Sequence, residues 1–291
     1  MKQKPNDYQV IPFPKIRRVY SEQPRDVQRK PIFHALVEVD VTKVRQALRE
    51  HKASTGESLS FTAFIATCLG RAIDEHKAVQ AYRKGRNHLI LFDEVDVCLM
   101  VESHVGEHIL PLASIIRAAN KKTFLEIHQE IRAAQAHKAQ LAQVWKRMQW
   151  FVRLPPFLRN GFWRVVRKNP HLLKRFVGTV TLTAIGMFGE GGGWGIPFRI
   201  ANHPLMITLG GIGEKPGVVD GQIVIREYLS MTLSMDHDMI DDASASRFTM
   251  RLKELIESGF GLIDEGREEA KMVRAATEEK VGGSKATPST L

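Results

Sequence analysis

Residues 222–257 carry a strand into a helix through a turn that holds one histidine and four aspartates. The run QIVIREYLSMTLSM (222–235) is strand-like. The run ASASRFTMRLKELIE (243–257) places Phe248, Leu252, Leu255 and Ile256 at helical spacing, with Gly259 as its stop. Between them lie Asp236-His237-Asp238-Met239-Ile240-Asp241-Asp242. Asp241 or Asp242 sits at the helix start, where a carboxylate caps free N–H groups and opposes the positive end of the helix dipole. A strand-to-helix junction holds a histidine rigidly at a cleft, and neutral imidazole suits the deprotonation of a thiol. By itself His-x-x-x-Asp is a weak signal, and a strand-end histidine beside a capping aspartate is the simpler reading.

The rest of the chain frames this junction. IFHALVEV (32–39) reads as a strand, and Asp40 as the cap of a helix whose Val41, Val44 and Leu48 share a face. SFTAFIATCLGRAIDEH reads as a buried helix, 88–101 as two strands around a turn at Asp93-Glu94, and 120–149 as a long helix. Further strands are expected at 179–185 and 205–209, separated by the glycine-rich GMFGEGGGWGIP. The class is α+β, a mixed α/β sandwich. The expected division is an arm over 1–30, a domain over 31–262 and a disordered polar tail over 263–291.

Composition excludes several classes. Of 291 residues, 43% are hydrophobic and no apolar run approaches the roughly 20 residues of a membrane-spanning helix. The N-terminus lacks a signal peptide's apolar stretch, so a cytoplasmic location is expected. Cys68 and Cys98 sit in apolar segments and read as core residues. The net charge is +10, and no Asp or Glu occurs from Ile131 to Gly189. A surface of that kind attracts phosphates, acidic proteins or anionic lipid.

The run from Leu233 to Phe248, followed by Arg251-Leu252-Lys253-Glu254-Leu255-Ile256-Glu257, resembles the C-terminal signature of the acyltransferase components of 2-oxoacid dehydrogenase complexes. That signature is Asp-His-Arg-x-x-Asp-Gly-Ala followed by an Ala-Arg-Phe helix. Three other segments resemble the family in the right order: Ile11–Arg18, Gly106–Ile127, and Val180-Thr181-Leu182-Thr183-Ala184-Ile185-Gly186-Met187-Phe188-Gly189. The resemblance implies a chloramphenicol acetyltransferase-like fold, a central mixed sheet flanked by helices, in a trimer with active sites between subunits. It implies that His237 removes the proton of a CoA or dihydrolipoamide thiol and that Thr183 donates to the tetrahedral oxyanion. Asp241 would shape the catalytic turn through an arginine, with Arg17 as the candidate. Coenzyme A is the implied substrate, with no metal and no covalent lipoyl group on this chain. A lipoyl-bearing protein or other 2-oxoacid dehydrogenase components are the implied partners.

The departures from the pattern are specific. Asp238 stands where the family usually has Arg, Asp242 where it has Gly, and Ala184 where an Asn is common beside Thr183. No lipoyl domain, subunit-binding domain or Ala/Pro linker is seen, so a standalone core that borrows its lipoyl arm is expected. A basic, aromatic insert over about 138–177 has no counterpart in the standard core. It has three readings: a cap on the acyl channel, a contact with anionic membrane, or structural packing. Nucleic-acid binding is not expected, because no recognised module frames the charge. Two rival functions remain in view: a CoA-dependent O- or N-acetyltransferase acting on a small molecule, and a non-catalytic trimeric scaffold.

Two other motifs point elsewhere and are set aside. His104-Val105-Gly106-Glu107-His108 spells H-x-x-E-H, but a zinc site of that type needs a helix, whereas Gly106 and strand-like flanks predict a hairpin. The loop Gly189–Gly195 lacks the Lys-Ser/Thr of a P-loop and reads as an active-site or interface loop.

Overall fold

The computed structural model describes residues 30–105, 108–136, 150–151, 153–185, 191–197 and 202–263. Arg17, the N-terminal arm, residues 137–149 of the expected long helix and the polar tail lie outside these residues. Strand β1 (Ile32–Asp40) leads into helix α1 (Thr42–Thr55), and α2 (Phe61–Glu75) follows. Two short strands, β2 (Tyr82–Lys84) and β3 (His88–Ile90), precede β4 (Val97–Val105) and β5 (His108–Ile116). Helices α3 (Phe124–Ala136), α4 (Pro156–Lys168) and α5 (Pro170–Val177) come next. The chain closes with β6 (Val180–Ala184), β7 (Leu205–Val219), β8 (Gln222–Asp236) and α6 (Asp242–Ser258).

Six strands form one mixed sheet in the order β1-β8-β7-β6-β4-β5. Strand β6 runs parallel to both of its neighbours and the other pairs are antiparallel. Side chains alternate across such a sheet. Val180 and Leu182 of β6, Leu205, Ile207 and Leu209 of β7, and Leu229, Met231, Leu233 and Met235 of β8 all enter the main core. Helix α2 fills the layer beside them, with Phe64, Ile65, Leu69 and Ile73 inaccessible to solvent. Ser60 caps it by accepting from the Ala63 N–H at 3.2 Å. Phe248, Leu252 and Ile256 of α6 pack into the same core, as their spacing predicts. The opposite face of the sheet presents Thr181 and Thr183, Met206 and Thr208, and Ser230, Thr232 and Ser234.

Several boundaries differ from expectation. Asp40 ends β1, and the cap position of α1 is Val41, which has no side-chain bond to offer. Asp40 still serves the first turn, accepting from the Thr42 N–H at 3.0 Å and its hydroxyl at 2.6 Å. The two strands expected around Asp93-Glu94 exist as β3 and β4, but they belong to different sheets. The strand expected at 205–209 continues to Val219 and folds back as β8. Its turn is Asp220-Gly221, both at positive φ (50° and 77°), the two-residue arrangement whose twist matches paired strands. His104 and His108 lie on the antiparallel strands β4 and β5, so the helix that zinc ligation would need is absent there.

The glycine-rich segment has a structural reason in its described part. Gly193 N–H donates to Ser230 Oγ at 3.2 Å, and Gly211 N–H donates to the Gly193 carbonyl at 2.9 Å. Backbone lies on backbone here, and a Cβ at Gly210 or Gly211 would overlap the carbonyl oxygen of Gly193 or Gly191. The segment covers the threonine-bearing face of β7 and β8. The insert helices make a second, smaller core, in which Val166 and Leu173 pack with Tyr82 and Phe92. Arg117 fastens α5 to the sheet, donating to Asp96 at 2.7 Å and to the Lys174 and Arg175 carbonyls at 2.9 and 2.6 Å.

Candidate active site

His237 is the first residue past β8, and the turn that holds it is tied on both sides. Its own N–H donates to the Pro31 carbonyl at 2.8 Å. Asp236 N–H donates to the Pro204 carbonyl at 2.9 Å, and the Asp236 carbonyl accepts from Met239 and Ile240, each at 3.0 Å. The buried Asp236 carboxylate pairs with Lys30 Nζ at 2.7 Å and accepts from the Asp238 N–H at 3.2 Å. The imidazole therefore sits on a fixed backbone. Phe33 meets it edge-on, with ring centroids 5.3 Å apart. Its Nε2 lies 3.4 Å from Asp242 Oδ1, and the ring is half-exposed, 51% by side chain.

Asp241, one of the two aspartates the sequence offers at the helix start, is the N-cap of α6. Its carboxylate accepts from the Ser244 N–H and hydroxyl, both at 2.8 Å. Those hydrogen bonds, backbone first, hold its carboxyl below the usual range. No arginine pairs with Asp241 among the described residues. Asp242 occupies the family's glycine position with ordinary helical backbone, since the positive-φ residues other than glycine are Ala118 and Asp220. Its side chain is 84% exposed, so close backbone approach does not demand a glycine either.

Thr183 lies on β6, half-buried, and among the described residues no hydrogen bond engages its hydroxyl. The register places it level with Thr208 of β7, which is level with Thr232 of β8. His237 lies five positions beyond Thr232. At about 3.3 Å per residue and about 4.8 Å per strand, the two Cα atoms are nearly 20 Å apart. They also serve opposite faces: Thr183 projects away from the helical layer, whereas His237 meets Phe33 and Asp242 on the helical side. One copy of the chain does not bring them together.

Two cavities flank the turn. One, of about 310 Å³, runs between β1 and α6 and is lined by Phe33, Ala35, Asp242, Ala245, Ser246, Thr249 and Met250. Phe33 and Asp242, both of which contact His237, line this groove, so it lies beside the imidazole. The groove contains one feature that sequence reasoning missed. Thr249 is 7% exposed and its hydroxyl has no hydrogen-bond partner among the described residues. Thr67, an equally buried helical threonine, bonds back to the Ala63 carbonyl at 3.0 Å. The second cavity, of about 210 Å³, lies on the other side of the turn and includes Lys30, Arg83, Arg167, Asp236 and Asp238. Asp238, in the family's arginine position, thus shares a cavity wall with cations, one of them, Arg167, from α4. Among the described residues no cluster of His, Cys, Asp or Glu could hold a metal ion.

Known proteins resemble this chain along most of its length. The model of the 2-oxoacid dehydrogenases acyltransferase catalytic domain matches residues 5–144 and 172–262, leaving out 145–171, the heart of the insert. The dihydrolipoyllysine-residue acetyltransferase component of the Bacillus subtilis pyruvate dehydrogenase complex is 25% identical over 75% of this chain and 43% of its own length. The lipoamide acyltransferase component of the Pseudomonas aeruginosa branched-chain complex is 24% identical over 87% of this chain and 52% of its own. The chain spans about half the length of the curated relatives it matches. The dihydrolipoamide acetyltransferase of Azotobacter vinelandii, whose structural study concerns a serine, a histidine and an asparagine in catalysis, superposes with a TM-score of 0.64 at 18% identity. That superposition covers 90% of this chain and 99% of the other. The fold is that of these catalytic cores, and the chain belongs to the 2-oxoacid dehydrogenase acyltransferase catalytic-domain family.

Proposed function

We propose that the chain moves an acyl group between CoA and a dihydrolipoyl-type thiol, with His237 of one copy as general base and Thr183 of a neighbouring copy as oxyanion donor. The observation that carries the reading is the disposition of these two groups. An accessible imidazole stands at the head of an apolar groove on one face of the sheet, and a free hydroxyl stands on the other. Two copies placed side by side supply what one copy separates. The histidine takes the thiol proton as sulfur attacks the thioester carbonyl and a C–S bond forms. The new oxyanion accepts a hydrogen bond from the threonine. Collapse breaks the other C–S bond, and the departing sulfur takes back the proton from the imidazolium. The largely apolar groove, with the buried unbonded hydroxyl of Thr249 in its wall, suits the aliphatic, amide-bearing arm that CoA and dihydrolipoamide both carry.

A trimer with sites between copies is supported by a second feature. Beyond Tyr228, β7 and β8 continue as a two-stranded ribbon on which Val218, Ile223 and Ile225 share a face, each about three-quarters exposed. Apolar β-branched side chains so exposed suit a contact with another copy. A dihydrolipoyl arm on another polypeptide, within a 2-oxoacid dehydrogenase assembly, is the acceptor this reading supplies. The test is acetyl transfer from acetyl-CoA to dihydrolipoamide by wild type and by His237→Ala and Thr183→Ala variants. We expect losses of about a hundredfold or more for each. Equal CoA release by wild type and His237→Ala would sink the catalytic reading. Transfer only to an alcohol or amine would instead identify a small-molecule acetyltransferase.

A further inference from the structure

We infer that the outer face of α4 and α5 seats on an anionic lipid surface. Helix α4 has three distinct sides. Arg159, Trp163 and Val166 turn inward, toward the smaller core. Leu158, Phe162 and Val165 follow at intervals of four and three, so they form one stripe along the helix. That stripe is open to solvent, with Val165 62% exposed. Phe157, Gly161, Arg164 and Lys168 form the adjoining stripe, with Phe157 71% exposed. Phe176 of α5 extends the apolar surface, its ring 5.6 Å from that of Phe162. Packing of the insert onto the domain therefore uses one side of α4 and leaves a second apolar side in water.

Charge selects the occupant. No acidic residue occurs from Ile131 to Gly189, while Arg153, Arg164, Lys168 and Arg175 are exposed around the stripe. The same patch on a second copy would meet like charge. Nucleic acid would satisfy the cations but offers no hydrocarbon to Leu158, Val165 and Phe176. An anionic bilayer offers both, a negative surface for the basic stripe and an acyl boundary for the apolar one. No described helix is long and apolar enough to cross a membrane, so the contact is peripheral. The family model leaves out 145–171, so the α4 part of this surface lies in a segment additional to the catalytic core, while Arg175 and Phe176 of α5 fall within the matched residues.

Co-sedimentation with sucrose-loaded vesicles tests the inference. The protein should pellet with vesicles of phosphatidylcholine and phosphatidylglycerol and stay in solution with phosphatidylcholine alone. Arg164→Glu with Lys168→Glu should lower the partition coefficient about a hundredfold or more, since each basic charge near such a surface contributes roughly fivefold. Leu158→Ser with Val165→Ser should keep low-salt binding and lose about tenfold at high salt, where only the apolar part survives screening. A melting transition like that of wild type certifies each variant, and Arg164→Gln with Lys168→Gln gives a milder second pair with an intermediate loss. Equal partition into both vesicle types, or no loss on charge reversal, would overturn the inference. So would retention on duplex DNA but not on vesicles. A changed oligomer mass in the serine variant, with vesicle binding intact, would make the stripe a contact between copies and overturn it as well.

Discussion

Thr249 combines two properties that usually exclude each other: it is buried, and among the described residues its hydroxyl is unbonded. A buried hydroxyl without a partner costs about 1–3 kcal/mol, so Thr249→Val should leave the protein equally stable or raise its stability by about 1 kcal/mol. The same change removes the buried hydroxyl from the groove wall. Under the proposed function, the KM for the thiol substrate should rise several-fold while thermal unfolding moves up or stays put. A lowered melting temperature with unchanged KM would contradict this account. His203 offers a prediction in pH. Burial pushes its pKa down to about 4, while its Nε2 faces the Val177 carbonyl and its Nδ1 the Thr181 hydroxyl, both at 2.8 Å. A depressed pKa means that the unfolded chain binds the proton first. The stabilisation is complete above about pH 6.5 and is lost as pH falls toward 4, the loss amounting to about 3 kcal/mol at the low end. His203→Gln should flatten that part of the stability profile, measured as urea midpoints at pH 7.5 and pH 5. His237 and Asp241 were legible from sequence because each needs only local chain, a strand end and a helix start. Thr249 was not, because what marks it is a hydrogen bond it does not make.

Among the elements, the β7–β8 hairpin shows how far local reading reaches. Asp220-Gly221 between runs of β-branched residues is a strong hairpin signal, and it was present in the sequence although only residues 205–209 read as the first strand. The close approach of Gly191–Gly193 to Gly210 and Gly211 has no such signal, since it joins segments through backbone contacts alone. Gly211→Ala should therefore act as an overpacking change against backbone, costing about 2–3 kcal/mol or displacing the loop. A chemical-denaturation midpoint equal to that of wild type would argue that the loop yields freely. In the core, Leu252→Ala should cost about 2–5 kcal/mol, because α6 presents that side chain fully buried. Both strands expected around Asp93-Glu94 are present, but the sheets they join were not legible, for a related reason. Alternation identifies a strand but not its partner, and β3 and β4 join different sheets.

For the whole molecule, the class and the order of the family segments could be read from the chain, and the resemblance already implied a site between copies, whereas the register that separates Thr183 from His237 within one copy could not be read. Thr183 and His237 are assigned to opposite faces only by the register of β6, β7 and β8, which no single segment encodes. Under the proposed mechanism this disposition predicts complementation. His237→Ala and Thr183→Ala chains, each inactive alone, should recover activity when refolded together, with roughly a quarter of the sites intact after random assortment. Measured CoA release that stays at the level of the separate variants would show that each chain works alone. The same feature governs what happens on dilution. If His237 and Thr183 act as proposed, a sheet that holds base and oxyanion donor apart makes turnover a property of association, so specific activity should fall with protein concentration once assemblies dissociate, with every chain still folded.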